Sequence, residues 1–190
     1  MSINKTTQEK SGYTRVTEIL SPYSGLHKVP KDILENAGRR GTKVHDICEA
    51  IVKGIGDWGV DDETRGYIHS FRQWWKPEST VLTIEERFYC DELKITGKVD
   101  LILDSPNGAV IIDYKTSYAP SKTWPIQGSA YAYLARNAGY DITGIQFVHL
   151  NKHGMKPDVY DYPYQFDVFK QCHDLYKYFF KPPEKRARKS

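Results

Sequence analysis

Two apolar runs each carry one carboxylate. Residues 95–103 read Ile-Thr-Gly-Lys-Val-Asp-Leu-Ile-Leu, and residues 109–116 read Ala-Val-Ile-Ile-Asp-Tyr-Lys-Thr. A charge on a buried strand is costly unless it is paired or bound to a metal, so Asp100 and Asp113 call for a shared reason. If a four-residue turn joins the runs as antiparallel strands, Asp100 lies directly across from Asp113 on one face. Opposed Cβ atoms are about 4.5–5.5 Å apart, and carboxylates that close repel unless a proton or a cation sits between them. A five-residue turn without a bulge would put them on opposite faces. Lys115 is two residues past Asp113 and points to the same face. Its ammonium is a compact charge that can reach a metal-bound phosphate. Hard oxygen ligands favour Mg²⁺ or Mn²⁺ over zinc. The chemistry that suits this set is phosphodiester hydrolysis, in which a metal activates water and the lysine positions the nucleophile or leaving group. The competing reading is a structural Asp–Lys network on a sheet.

Two further pairs sit four residues apart. His45 and Glu49 fall on one helix face, beside the apolar stripe of Val44, Ile47, Cys48 and Ile51. A lone histidine there is an ordinary core or surface residue, whereas a histidine and a glutamate together can reach a metal site. Gln127 and Tyr131 repeat the spacing on a later helix. Glutamine can bond a phosphate or a base edge, and tyrosine can stack on a base or bond phosphate. Taken alone, the pair is also a plain polar pair on a helix surface.

The elements that must position these residues follow from periodicity and punctuation. Residues 13–20 form a short element before the turn-like Ser21-Pro22-Tyr23-Ser24-Gly25. Residues 31–37 read as one helix ending near Gly38. Gly41 or Thr42 caps a second, which runs to Lys53 and is stopped by Gly54 and Gly56. Asp61, Asp62 and Glu63 suit the positive end of a third helix over residues 61–76, stopped by Lys76-Pro77. The period then changes to strands over residues 80–89, 94–103 and 109–115, separated by turn residues. Trp124-Pro125 opens a fourth helix that closes before Gly139. Residues 145–150 and 158–164 are two more strands, and residues 166–180 a final aromatic-rich helix stopped by Pro182-Pro183. Helices, a β-meander, a helix and returning strands predict an α/β fold, a single domain whose central mixed β-sheet is flanked by helices.

A length of 190 residues fits one domain, expected as a flexible segment over 1–12, a domain over 13–181 and a basic tail over 182–190. At 39% apolar and 27% charged, the composition excludes general disorder, collagen and coiled coil. No run reaches the length of a membrane span, and residues 1–10 are polar. A cytoplasmic location without a membrane partner is therefore expected. Cys48, Cys90 and Cys172 give no disulfide framework and no CxxC pattern, and are expected as buried thiols in a reducing compartment. The last ten residues carry five basic side chains and one Glu. Without them the net charge of +3 becomes 22 minus 23, or −1. That tail is either an arm for phosphate contacts or a solvated terminus. The 14 Tyr, 4 Trp and 7 Phe build a core, and can also stack on bases.

The chemistry-bearing residues fall into four motifs: Gly41-Thr42-Lys43-Val44-His45 with Glu49, Gly97-Lys98-Val99-Asp100, Asp113-Tyr114-Lys115-Thr116, and Gln127 to Tyr131. Their order and spacing resemble the PD-(D/E)XK nuclease superfamily, specifically its RecB-like exonuclease branch, over residues 38–150. A single DxK arises often by chance, whereas four motifs in order on the expected elements are specific. The resemblance implies a restriction-endonuclease-like core and a Mg²⁺- or Mn²⁺-dependent deoxyribonuclease. Its implied role is exonuclease action on linear DNA, single- or double-stranded, in recombination, repair or replication. It implies His45, Asp100 and Asp113 as metal ligands, with the Tyr114 carbonyl as a backbone ligand, and Lys115 as the catalytic lysine working with the two aspartates. Gln127 and Tyr131 would contact DNA or hold the site together. Glu85 matches a glutamate of this branch, with Glu86 beside it as the competing position, and Glu49 and Glu85 are expected to support the ligands.

The same resemblance has departures. Some relatives bind an iron–sulfur cluster through four cysteines, and the three here imply no cluster. There is no P-loop, so no nucleotide cofactor and no attached motor are expected. A chain of this size resembles phage-type or genome-maintenance exonucleases of bacterial or phage-infected cells, for which a single-strand-annealing or single-strand-binding protein is a common partner. Lys122 and Lys152 are expected to add phosphate contacts, together with the tail. Two other readings compete: a non-catalytic nucleic-acid-binding module that keeps the fold, and a partner-docking subunit using Phe169, Tyr176, Phe179 and Phe180. Those aromatics otherwise pack in the core.

Overall fold

A computed structural model describes residues 10–180. The basic tail, and the expected loose N-terminal segment apart from residues 10–12, lie outside the described residues. The protein is a single α/β domain built on a mixed six-stranded sheet. Its organising strand is β3 (Ile95–Ser105). Along one edge, β2 (Val81–Cys90) runs antiparallel to it, from Cys90↔Ile95 to Val81↔Leu103. The other edge of β3 has two partners in succession. The short β1 (Thr14–Arg15) lies parallel at Ile95 and Thr96, and β4 (Gly108–Lys115) pairs antiparallel from Leu101 to Ser105. Beyond β4 come the parallel β5 (Ile142–His149) and the antiparallel edge strand β6 (Asp158–Asp161).

The β3–β4 hairpin closes at Ser105↔Gly108 and keeps Leu101 opposite Ile112. That register has the parity expected for a four-residue turn. Gly108 supplies the left-handed backbone, φ 112°, that ends the turn.

Helices cover both sheet faces. On one, α1 (Val16–Leu20), α4 (Trp124–Asn137) and α5 (Phe166–Phe180) pack Val16, Leu134 and Phe169 against Ile111 and Phe147. On the other, α2 (Lys31–Val52) and α3 (Arg65–Trp74) pack Val44 and Phe71 against Ile112, Tyr114 and Val148. The alternation of β4 therefore feeds two separate clusters, as strand geometry requires. In α5, Phe169 is fully buried and Tyr176 packs against the core, while Phe179 and Phe180 are exposed. All three cysteines are buried and free. No helix among the described residues is long and apolar enough to cross a membrane.

Several boundaries differ from the sequence reading: β5 begins at Ile142 instead of 145, β3 extends to Ser105 instead of 103, and three further differences have a local cause. The two helices expected over residues 31–37 and 41–53 are one continuous helix, α2. Gly38 and Gly41 each cost about 1 kcal/mol against alanine in a helix, which is too little to break one whose Val44, Ile47 and Cys48 are buried in the core. The third helix begins only at Arg65, because residues 61–64 form its entry turn: Thr64 N–H donates to Asp61 Oδ1 at 3.0 Å, and Asp61 N–H to Thr64 Oγ1 at 3.0 Å. The last strand stops at Asp161 instead of Tyr164, and Pro163 has no N–H with which to extend the ladder.

Helix α4 seats closely on β5 at Gly128. A Cβ there would collide with Ile145 Cγ2 and stand 2.8 Å from Phe147 Cε2. Overpacking of this kind costs about 1–3 kcal/mol and the helical preference for alanine returns about 1 kcal/mol of it, so Gly128→Ala is expected to lower Tm by up to roughly 8 °C in a circular-dichroism melt. A raised Tm would contradict this seating.

Candidate active site

Strands β3 and β4 pair only as far as Leu101 and Ile112. The next residue of β4 whose peptide groups face β3 is Tyr114, because the N–H and C=O of one residue point to the same neighbour in an antiparallel ladder. Both groups are taken by side chains. Tyr114 N–H donates to Asp100 Oδ2 at 2.8 Å, and its carbonyl accepts from His45 Nε2 at 3.1 Å. Asp100 thus closes the gap that opens where β3 leaves β4 for β1. The other nitrogen of His45, Nδ1, lies 3.3 Å from Asp100 Oδ1. The Tyr114 ring packs edge-on against His45, Phe71 and Trp74, which fixes α2 and α3 against this point of the sheet.

Glu85 enters from β2. Its neighbours pair as Ile84↔Leu101 and Glu86↔Val99, which leaves Glu85 opposite Asp100. Its backbone is left-handed, φ 52°, a conformation that costs a non-glycine residue roughly 1–2 kcal/mol. One carboxylate oxygen is ion-paired with Lys98. The other, Oε1, is buried without a hydrogen-bond partner, 4.0 Å from His45 Nδ1. Glu86 instead accepts from Thr83 Oγ1 and from Tyr140 Oη, the latter at 3.2 Å. Of the two adjacent glutamates, Glu85 is the one that faces the cluster.

One ligand atom from each of His45, Glu85 and Asp100 lies within 4.8 Å of the others. Burial raises the Glu85 carboxyl, and the Asp100 charge raises it further. Burial opposes charge on His45, yet Asp100 and then Asp113 overcome it and lift the imidazole to about 9. Two carboxylates, an imidazole and an orphaned buried oxygen fit a hard divalent cation, which would replace the proton that His45 holds.

Asp113 stands outside that triad. Its Oδ2 is 2.6 Å from Lys115 Nζ, and its Oδ1 accepts from Gln127 Nε2 at 3.1 Å. Burial pushes Asp113 up to about 6, against the pull of Lys115 and with the charge of Asp100 adding to it. Lys115 also donates to Gln127 Oε1 at 3.3 Å and lies 5.2 Å from the Phe147 ring centre. Gln127 Nε2 makes a second bond, to Tyr131 Oη at 3.1 Å. Tyr131 in turn fills the space over Gly97, where a Cβ would stand 2.6 Å from its ring.

The remaining candidates sit at the margins. Glu49 is ion-paired with Lys53, the residue that caps the same helix. Lys122 lines a cavity of about 540 Å³ that Lys115 and Gln127 also line and that extends to α1. Sequence reasoning missed Lys98, although it stands two residues before Asp100, because nothing in the motif says that it pairs with Glu85.

A cation in the triad would stabilise the folded state by linkage, by about 2.7 kcal/mol at one hundred times its Kd. Saturating Mn²⁺ is therefore expected to raise the Tm of the native chain by several degrees. Asp100→Asn should cancel that rise in differential scanning fluorimetry.

The sequence matches the family description of the PD-(D/E)XK nuclease superfamily over residues 27–167. Among solved structures, one described as "Crystal structure of SSO0001" is similar at 16% identity, covering 87% of this chain and 75% of that chain with a TM-score of 0.45. No curated protein matches. The four motifs and their order agree with the first of these findings: the chain belongs to the PD-(D/E)XK nuclease superfamily.

Proposed function

We propose that the chain is a divalent-metal-dependent deoxyribonuclease that degrades linear DNA from its ends, in recombination, repair or replication. The observation that carries this reading is the convergence of residues from all four motifs at one end of β4. The Lys115–Asp113 ion pair stands beside the His45, Glu85 and Asp100 cluster, and Gln127 joins them to α4. Exonuclease action, as opposed to internal cleavage, is supported by the motif order that the chain shares with RecB-like enzymes.

In this reading Mg²⁺ or Mn²⁺ supplies Lewis-acid stabilisation and an activated water. His45, Asp100, Glu85 and the Tyr114 carbonyl would hold the ion, with Asp113 joining them as Lys115 turns to the substrate. Lys115 presents its ammonium to the reacting phosphate, where it orients the attacking oxygen or offsets charge on the leaving one. Gln127 holds Lys115 and Asp113 in register through one side-chain amide, and Tyr131 braces Gln127 from the other side. Lys122 lines the larger cavity and would meet the DNA backbone there. Glu49, whose charge acts on Lys98, would support the ligands from behind. A single-strand-annealing or single-strand-binding protein is a fitting partner, and the cytoplasm of a bacterial or phage-infected cell a fitting place.

End-labelled single- and double-stranded linear DNA and a closed circle, digested in Mg²⁺ and in Mn²⁺, test the reading. Native protein is expected to consume linear DNA and spare the circle. Lys115→Ala, assayed at a temperature where its melt shows it still folded, should slow digestion about 100-fold or more. Survival of every substrate in both metals would overturn catalysis and favour a binding module with a nuclease fold. Cleavage of the circle would replace exonuclease with endonuclease action.

A further inference from the structure

The end of β4 is flanked by two cavities. The larger lies on the α4 side with Lys115 and Gln127. The other, of about 310 Å³, lies towards α2 and α3 and is lined by Arg40, Thr116, Ser117, His149, Lys152 and His153, among others. Its lining residues carry a guanidinium, an ammonium, two imidazoles, an amide, two aliphatic and two phenolic hydroxyls, and no carboxylate. Ser117 lines both cavities.

Arg40 is the anchor of the smaller cavity. It stands on α2, with its guanidinium carbon 5.7 Å from the Tyr67 ring centre. Tyr67 Oη in turn donates to the Thr116 carbonyl at 3.4 Å, so arginine, tyrosine and the end of β4 form one brace. Arg40 Nε is buried and has no hydrogen-bond partner among the described residues. A buried donor left unmatched is costly, and the guanidinium that carries it belongs to a residue lining the cavity. His149 Nε2 donates to the Ser117 carbonyl at 2.6 Å and holds the loop that forms the opposite wall. At the rim stands Tyr118, 98% exposed, an aromatic face beside a cationic cavity.

We propose that this cavity is a nucleotide subsite: Arg40 and Lys152 grip a phosphate of the strand adjoining the one cleaved, and Tyr118 stacks on its base. The subsite rests on the nuclease reading for its substrate class. Thr116 directly follows Lys115, and one strand residue advances about 3.3 Å, so the phosphate held here is a close neighbour of the reacting one. Guanidinium suits a phosphate through paired hydrogen bonds, and base–aromatic stacking is tolerant of sequence.

The test is fluorescence anisotropy of the full chain, without metal, on short single strands bearing a 5′-phosphate, a 3′-phosphate or neither. Arg40→Ala is expected to weaken binding about tenfold, or about 1.4 kcal/mol. Arg40→Lys should recover part of that loss, which separates charge from folding. Tyr118→Ala is expected to weaken binding roughly fivefold or more, and Lys152→Ala to lower the salt slope. Loss in Arg40→Ala with equal native affinity for all three strands identifies an internal phosphodiester. A native preference for one phosphorylated end, erased by Arg40→Ala, identifies a terminal phosphate. The subsite is overturned if Arg40→Ala and Tyr118→Ala bind all three as tightly as the native chain, or if the native chain binds none. The nuclease reading is decided separately, by the metal-dependent digest.

Discussion

Two aspartates buried in a sheet must have their charge answered, and the answers hold this molecule together. Asp100 is 7% exposed and Asp113 only 2%. Asp100 is answered by the Tyr114 amide and by His45 on α2. Asp113 is answered by Lys115 and by Gln127 on α4. The two helices lie on opposite faces of the sheet, so compensating the carboxylates also fixes both outer layers. Removing one partner of such a buried pair generally costs about 3–5 kcal/mol, because the remaining charge is stranded. Placing the site there makes its geometry part of the fold's own stability.

The motif glycines serve the same interlock. Gly97 leaves room for the Tyr131 ring, and a Cβ on Gly41 would stand 3.4 Å from Thr116 Oγ1. Each glycine therefore faces a residue of a different motif. Segments that look like independent short patterns in the sequence are complementary halves of two contacts. Tyr131 then supports Gln127, and Gln127 supports both members of the Lys115–Asp113 pair.

Much of this was legible in the residues. The alternation along β4 and the turn before it gave the register that sets Asp100 near Asp113, and Pro125 with Gly139 bounded α4. The rest depended on tertiary geometry. Gly38 and Gly41 read as helix ends, but burial of the following stripe carries the helix through them. Parity put both aspartates on one face, whereas the ladder ends at Leu101 and turns Asp100 towards a backbone amide. Glu85 and Glu86 are indistinguishable by type, and a left-handed backbone at Glu85 separates them. Arg40 belongs to none of the motifs, and only the cavity beside Thr116 draws attention to it.

The sheet divides the interior into two apolar clusters that share no residue, one under α1, α4 and α5 and the other under α2 and α3. The side-chain cluster at the end of β4 draws Gln127 and Tyr131 from the first layer and His45 from the second. A partly melted form that keeps either layer alone therefore loses part of the constellation. The site then works as a coincidence detector for folding: a chain with one layer docked has a sheet and a core, but only part of the cluster.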